Sequence, residues 1–531
     1  MKFKVYIQGM ATIGAAAAIL TSGSTFAQVS SPAPNLSAET LDAYAKQTIE
    51  AFNITGMSVA VVSENSTLFQ KSYGLKNING SEPVNADTIF PFGSVGKAFT
   101  TAALATLVDE GKLDWDDPVR KYIPEFEMSD PYITRQFTVR DLLTHRSGLP
   151  LGAGDLLVFP DGYVEVDDVL NVFKNIEPAT SFRSEYAYDN LMYIVAGDVL
   201  ARASGSTWAG AIEERLFNPL NMESCKALPS EAIKSDNTVT QHTRNLGGKT
   251  AEPLNPLYII PDGSAPAGGI SCSINDMAKW AQFWLRRGKS ASGDALISEE
   301  QVKELWTGVT PTSVPKDIGS FADAHFSLYA LGWSVADFNG ELLVSHGGGL
   351  LGAVSYLALL PEKDVAVVLM TNDFLPYVSG FGKQILQDVT KPEVEFDWIE
   401  NAENYYNSYL EMASKDAGLV ETEPKDIAAP PARELEEYVG TYTDPWYGDV
   451  TLSLREGSLF IDMSRSEIFD ASVVSLGDDK FVARWPDRTL NADAYLNFQV
   501  ENEVVKGLRM EAVSETTDFS FDFHDLRFVK N

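Results

Sequence analysis

Two apolar, β-branched segments far apart in the chain constrain its fold more than any other feature. GMSVAVVSENSTLFQKSYGL, residues 56–75, reads as two strands around the polar turn Ser63-Glu64-Asn65-Ser66. AVSYLALLPEKDVAVVLMTN, residues 353–372, reads as two more around Pro361-Glu362-Lys363-Asp364, and a further strand signal covers Glu341–Ser345. Between them the pattern is chiefly helical. Helix, hairpin, many helices and then a hairpin is the order of an α+β layer with an antiparallel sheet, so strands from both ends of this stretch have to meet in one sheet.

The same patterning divides the chain. LDAYAKQTIEAF, residues 41–52, has the 3.6-residue spacing of a helix, and SVGKAFTTAALATLVDEGKL, residues 94–113, is an Ala- and Leu-rich helix with a stop at Gly111. From about Pro392 the composition shifts to a helical stretch, DWIENAENYYNSYLEMASKDAG, and a charged, Pro-containing spacer. Beyond it, short alternating runs with turn signals predict a small all-β sandwich or barrel. At 531 residues the chain exceeds what one core accommodates, and it divides into a leader over 1–27, a linker over 28–37, a large domain over 38–392, a second linker over 393–432 and a β domain over 433–531.

The leader reading rests on Lys2 and Lys4, an apolar stretch and small residues up to Ala27, the pattern of a secretory signal. After it, no apolar run approaches the ~20 residues a spanning helix needs, so membrane insertion is not expected. The net charge of −33 makes nucleic acid and anionic lipid surfaces poor partners. Export permits a disulfide between Cys225 and Cys272, but two buried free thiols fit the sequence as well.

Three short motifs carry chemistry. Ser94 and Lys97 stand three residues apart at the start of a helix, on one face, so the amine can reach the hydroxyl; a serine needs such a base, and a lysine serves as one once burial lowers its pKa. Tyr188, Asp189 and Asn190 add a phenol able to relay a proton and an amide with a donor and an acceptor end, although on its own the triplet reads as a helix start capped by Asn. His346, Gly347 and Gly348 follow the strand ELLVS; the glycine pair lets a substrate backbone come close and the histidine supplies a titratable donor. Rival readings fail: no G-x-S-x-G accompanies HGGG, and the G-x-G-x-x-G match at 347–352 leads into a strand rather than a helix. The five histidines form no H-E-x-x-H, there are no cysteine pairs at ligand spacing, and His145 reads as a structural loop histidine.

In this order, S-x-x-K, Y-x-N and H-x-G resemble the motifs of serine hydrolases built like class C β-lactamases and penicillin-binding peptidases. The resemblance runs over about Leu41–Thr390 and includes EGKLDWDDPVRKYIPEF, LLTHRSGLP, YDNLMYIVAGDVL, PAGGISCSINDMAKW and YALGW. It implies an antiparallel sheet flanked by helices with a separate all-helical lobe. It also implies Ser94 as acylated nucleophile, Lys97 as base, Tyr188 as proton relay, Asn190 as substrate-orienting group and the N–H groups of Ser94 and Gly349, the residue after His346-Gly347-Gly348, as oxyanion hole. No cofactor or metal is implied. The function expected is that of a secreted, periplasmic hydrolase acting through an acyl-enzyme on an ester or peptide bond; a β-lactamase or D,D-peptidase, or a penicillin-recognising protein without turnover, would share the motifs.

One departure shapes the substrate expectation. Where classical members of that family carry a lysine that attracts a substrate carboxylate, this chain has His346, mostly neutral near pH 7. Esters or peptide amides are therefore expected to be preferred over carboxylate-bearing substrates. The C-terminal stretch YVGTYTDPWYGDVTLSL resembles the lipocalin-like domain appended to some peptidase and esterase members, where it covers the cleft or joins subunits into a homo-oligomer.

Overall fold

The strands from the two ends of the first domain lie side by side. In chain order they are β1 (Gly56–Val62), β2 (Thr67–Gly74), β3 (Thr310–Pro311), β4 (Ser327–Tyr329), β5 (Ser334–Phe338), β6 (Glu341–Leu350), β7 (Ala353–Leu360) and β8 (Val365–Thr371). The computed structural model describes residues 36–159, 164–244, 250–416, 428–466 and 468–531; the expected leader and most of the spacer before the β domain lie outside them. The sheet order is β2-β1-β8-β7-β6-β5-β4-β3, all antiparallel, and β1 meets β8 in the register Met57–Thr371 to Val62–Ala366.

Side-chain alternation explains why β8 reads as an unbroken apolar run. Val365, Val367 and Leu369 share a cluster with Leu41, Ala45 and Phe52 of α1 (Ala38–Phe52), whereas Ala366, Val368 and Met370 belong to the larger core. Successive residues of a strand face opposite sides, so a strand covered on both must be apolar throughout. The chain between β2 and β3 is chiefly helical and contains α2 (Lys97–Asp109), α3 (Val166–Asn175), α4 (Leu191–Ser204) and α5 (Ile274–Leu285). Trp280, Phe283 and Trp284 of α5 lie in the larger core, and α2 is buried on every side from Lys97 to Leu107. A helix buried all round is not amphipathic; it carries the site into the interior.

Cys225 and Cys272 form a disulfide, their Cα atoms 4.1 Å apart. Cys272 pairs in a short ladder with Phe90, just upstream of Ser94, so the cross-link braces the approach to the first motif.

The stretch expected as a linker over 393–432 is, in its first part, built into the fold. After α6 (Gly380–Thr390) comes α7 (Trp398–Asp416), with Trp398, Ile399, Tyr406 and Ala413 buried. The helical stretch expected here thus carries a packed face. The C-terminal strands β9 (Gly440–Asp444), β10 (Gly448–Arg455), β11 (Ser458–Met463), β12 (Asp470–Gly477), β13 (Lys480–Ala483), β14 (Ala494–Glu501), β15 (Val504–Ala512) and β16 (Phe528–Lys530) form a closed antiparallel barrel, sealed where Tyr442 pairs with Lys530. Of the two β architectures the sequence allowed, closure is the one that leaves no strand edge. Barrel and first domain are tied by Arg465 to Asp168 at 2.9 Å, by Asn171 Nδ2 to Pro445 O at 3.0 Å and by Tyr258 Oη to Asp487 Oδ2 at 2.5 Å. No helix among the described residues is long and apolar enough to cross a membrane.

Candidate active site

Ser94 sits in a 3-10 turn, Gly93–Gly96, that leads directly into α2. Backbone contacts fasten this turn to β6. Gly93 has φ +53°, and a Cβ on it would stand 2.8 Å from Gly349 O; Ser355 Oγ donates to Phe92 O at 2.6 Å. A Cβ on Gly348 would stand 1.9 Å from Phe92 O. Gly348 thus lies against the protein's own backbone on that face. Gly347 and Gly349 instead face the open cavity. His346-Gly347-Gly348 also lies within β6, not beyond its end: pairing with β5 stops at Ser345, whereas pairing with β7 continues to Leu350. Among the described residues no strand pairs with 346–350 on that side, which leaves a free edge beside Ser94.

Lys97 is fully buried and donates to Ser94 Oγ at 3.1 Å, Asn190 Oδ1 at 2.7 Å and Ala267 O at 2.8 Å. Burial brings its ammonium down to about 7, against the pull of Asp155 and Asp189. Its Nζ lies 4.7 Å from the Tyr188 ring centroid and 5.1 Å from that of Tyr193. Three donors on three acceptors suit the ammonium. The neutral amine keeps two donors and turns a lone pair towards the serine hydroxyl.

Asn190 is not the side-chain cap that its position suggests. Asp189 takes that role, its Oδ1 accepting from Leu191 N–H at 2.9 Å, which frees the Asn190 amide to donate to Asp155 Oδ2 at 2.9 Å while accepting from Lys97. Tyr188 packs against His145 with the rings tilted by 33° and their centroids 4.1 Å apart, and His145 Nδ1 accepts from Asp189 N–H at 3.1 Å. Burial drives the Tyr188 phenol well above its ordinary value, opposed by Ser94, and drives His145 well below its own, so both are neutral near pH 7. His346 is buried too, with Nδ1 donating to Gly347 O at 2.6 Å and Nε2 accepting from Tyr329 Oη at 2.9 Å. Burial and the nearby Lys97 bring it down to about 4.

Ser94, Tyr188, Asn190, His346, Gly347 and Gly349 line one cavity of about 820 Å³. Its outer wall comes from α7 (Tyr406, Tyr409, Met412) and from barrel loops at 489–491 and 515–521. Most of the lining is apolar or aromatic, and among the described residues its charged side chains are Arg244, Glu515 and Asp518. Arg244 already donates to Phe52 O at 2.9 Å and Asn53 O at 2.7 Å and faces Asp373 at 3.5 Å. Motif spacing did not single out Asp155, Tyr329 or Ala267. The one signal for Asp155 was an acid between glycines and an apolar run, in LGAGDLLVF; Ala267 acts through a carbonyl that any residue would supply.

A family model described as Beta-lactamase matches residues 41–388, and one described as a Domain of unknown function (DUF3471) matches residues 424–530. Over 428 residues, 77% of this chain and 76% of the relative, the sequence is 31% identical to Unguisins hydrolase ungD' of Aspergillus campestris. It is 26% identical over 368 residues to the D-alanyl-D-alanine-carboxypeptidase/endopeptidase AmpH of Escherichia coli, covering 67% of this chain and 90% of that one. The octameric penicillin-binding protein homologue from Pyrococcus abyssi shares the fold with a TM-score of 0.58 at 20% identity, over 93% of this chain and 99% of that one.

Proposed function

The chain belongs to the β-lactamase family of serine hydrolases, and from that premise we propose that it is a secreted acyl-enzyme hydrolase of uncharged esters or peptide amides, with Ser94 as nucleophile. The observation that carries the reading is the buried Lys97 amine held on Ser94 Oγ, Asn190 Oδ1 and Ala267 O. Neutral Lys97 accepts the Ser94 proton as Oγ attacks the substrate carbonyl, and the N–H groups of Ser94 and Gly349 take the developing oxyanion. The proton passes by way of Tyr188, a neutral phenol, to the leaving amine or alcohol. Water, or another amine, then attacks the acyl-enzyme and Ser94 regains its proton. Asn190 orients the substrate and the lysine together.

Charge and shape support the substrate class. His346 is neutral and engaged with Tyr329, and Arg244 is engaged with two carbonyls and an aspartate, so neither is a free cation for a substrate carboxylate. The free edge of residues 346–350 suits an extended peptide backbone. A second reading, turnover of β-lactams or cell-wall D,D-peptides, uses the same machinery and is favoured by the similarity to a D-alanyl-D-alanine-carboxypeptidase/endopeptidase. The leader over 1–27 and the disulfide between Cys225 and Cys272 support export to an oxidising compartment such as the periplasm. On this reading the hydrolase domain is 38–392, completed by α7, and the β domain is 433–531.

Incubation with a fluorophosphonate and with labelled penicillin, followed by peptide mapping, tests both readings. Labelling of Ser94 by the fluorophosphonate, with p-nitrophenyl ester turnover exceeding penicillin turnover, is expected. No adduct on Ser94 would remove both readings, and a penicillin kcat/KM far above the ester's would remove the first.

A further inference from the structure

Asp155 has no step in the reaction above, yet its carboxyl lies between the Asn190 amide and the barrel. Fully buried, its Oδ2 accepts from Asn190 Nδ2 at 2.9 Å and from Ser520 Oγ at 2.9 Å. A second barrel residue fastens the turn that carries it: Asp522 Oδ2 accepts from Gly154 N–H at 2.7 Å and its Oδ1 from Leu156 N–H at 3.0 Å. The approach is tight, since Gly152 has φ +73° and a Cβ there would stand 2.7 Å from Phe519 O. Phe519 in turn meets the Tyr188 ring edge-on, with centroids 5.9 Å apart.

We propose that Asp155, held from the barrel by Ser520 and Asp522, is the positioning residue that sets which way round the Asn190 amide sits and so aims the Lys97 lone pair at Ser94. A carboxyl oxygen facing two donors can only accept, so Asn190 must offer it Nδ2, which leaves Oδ1 for Lys97. Oδ1 of Asn190 and the carbonyl of Ala267 then take both N–H bonds of the neutral amine, and its lone pair remains for the serine hydroxyl. With the amide turned round, Nδ2 would compete for that lone pair. Burial pushes Asp155 up to about 7, but its other oxygen, Oδ1, has no hydrogen-bond partner among the described residues, so a proton placed there leaves Oδ2 an acceptor in either charge state. Segment Phe519–Asp522 is thus part of the catalytic unit, not only a wall of the cavity.

This inference rests on the reading of Lys97 as the base, and the test separates the two. In the full-length protein, Asp155→Ala and Ser520→Ala are expected to lower kcat, the former by about 10- to 100-fold, with KM and Tm little changed; Ser520→Thr, which keeps the hydroxyl, restores it. Asp155→Asn loses the charge and keeps an acceptor at only one end of the group, so kcat falls less than in Asp155→Ala while the acid limb of kcat/KM moves to lower pH. The sign follows because the Asp155 charge raises the Lys97 pKa. The other groups around Asp155 are Tyr188 and Asp189 ahead of α4 and Asp518 and Asp522 from the barrel; Asp189, which also raises Lys97, stays in place, so the limb shifts without disappearing. Unchanged kcat and acid limb in Asp155→Ala and Ser520→Ala would overturn the proposal, as would a rise confined to KM or a loss confined to Tm. Wild-type protein that fails to label at Ser94 overturns the reading of the site itself; wild type that labels, with variants that turn over unchanged, overturns the positioning role alone.

Discussion

At the scale of single residues, the decisive contrast is between a lysine whose ammonium burial destabilises and a histidine that burial keeps neutral. Lys97 near 7 is uncharged above that pH and protonated below it, so kcat/KM is expected to climb as pH rises through about 7 and to fall away on the acid side. Lys97→Ala removes the base and is expected to cut Ser94 acylation by about a thousandfold while far-UV circular dichroism stays native; retained labelling would contradict the assignment. His346, near 4, contributes no charge change between pH 5 and 8. His346→Lys is expected to raise the ratio of penicillin to ester kcat/KM, read from parallel assays, because it puts a cation beside the free edge. Ser94, Lys97, Tyr188, Asn190 and His346 are legible in the sequence because each lies in a short motif whose spacing has a chemical meaning. Asp155 and Tyr329 are not: each reaches the site through a partner distant in the chain, Asp155 through Asn190 and Ser520, Tyr329 through His346.

Among the elements, β6 does most to join the sheet to the chemistry. Its glycines differ in kind. Gly348→Ala would drive a Cβ into the Phe92 carbonyl, and it is expected to cost about 1–3 kcal/mol and to displace the Ser94 turn, lowering both Tm and kcat. Gly347→Ala meets no atom within 4 Å, so Tm should hold, and any effect should appear as a higher KM for peptide substrates that lie along the edge. The strands that were legible in the sequence, β1, β2, β7 and β8, are long and apolar or sharply bounded by polar turns. β3 and β4, with two and three residues, carry too few side chains to show a period, and Pro311 argues locally against a strand, although at the sheet's edge it is tolerated. The role of α7 is hidden for a different reason: the stretch reads as helical, but only packing shows that Trp398 and Tyr406 are buried in the hydrolase rather than facing solvent along a connection.

For the molecule as a whole, the disulfide between Cys225 and Cys272 closes a loop with a sequence separation of 47, and on the chain-entropy account it stabilises the fold by about 4 kcal/mol. Reduction, or Cys225→Ala with Cys272→Ala, is expected to lower Tm while leaving Ser94 in reach of a fluorophosphonate below the new transition; an unchanged Tm would contradict this. The two-part architecture was legible because composition changes near Pro392, whereas the approach of the barrel to Asp155 was not, since Ser520 and Asp522 acquire meaning only when chain segments more than three hundred residues apart are brought together. The outer wall of the cavity is written in stretches of the gene other than those that hold the three motifs, residues 406–412 and 489–521 against 94–349. Mutation can therefore remodel what is recognised while the acyl-transfer machinery is inherited intact. On the proposed positioning role that freedom stops at Ser520 and Asp522: a barrel exchanged by recombination has to deliver a hydroxyl and a carboxyl to the same two places, or the hybrid inherits a pocket with slowed turnover.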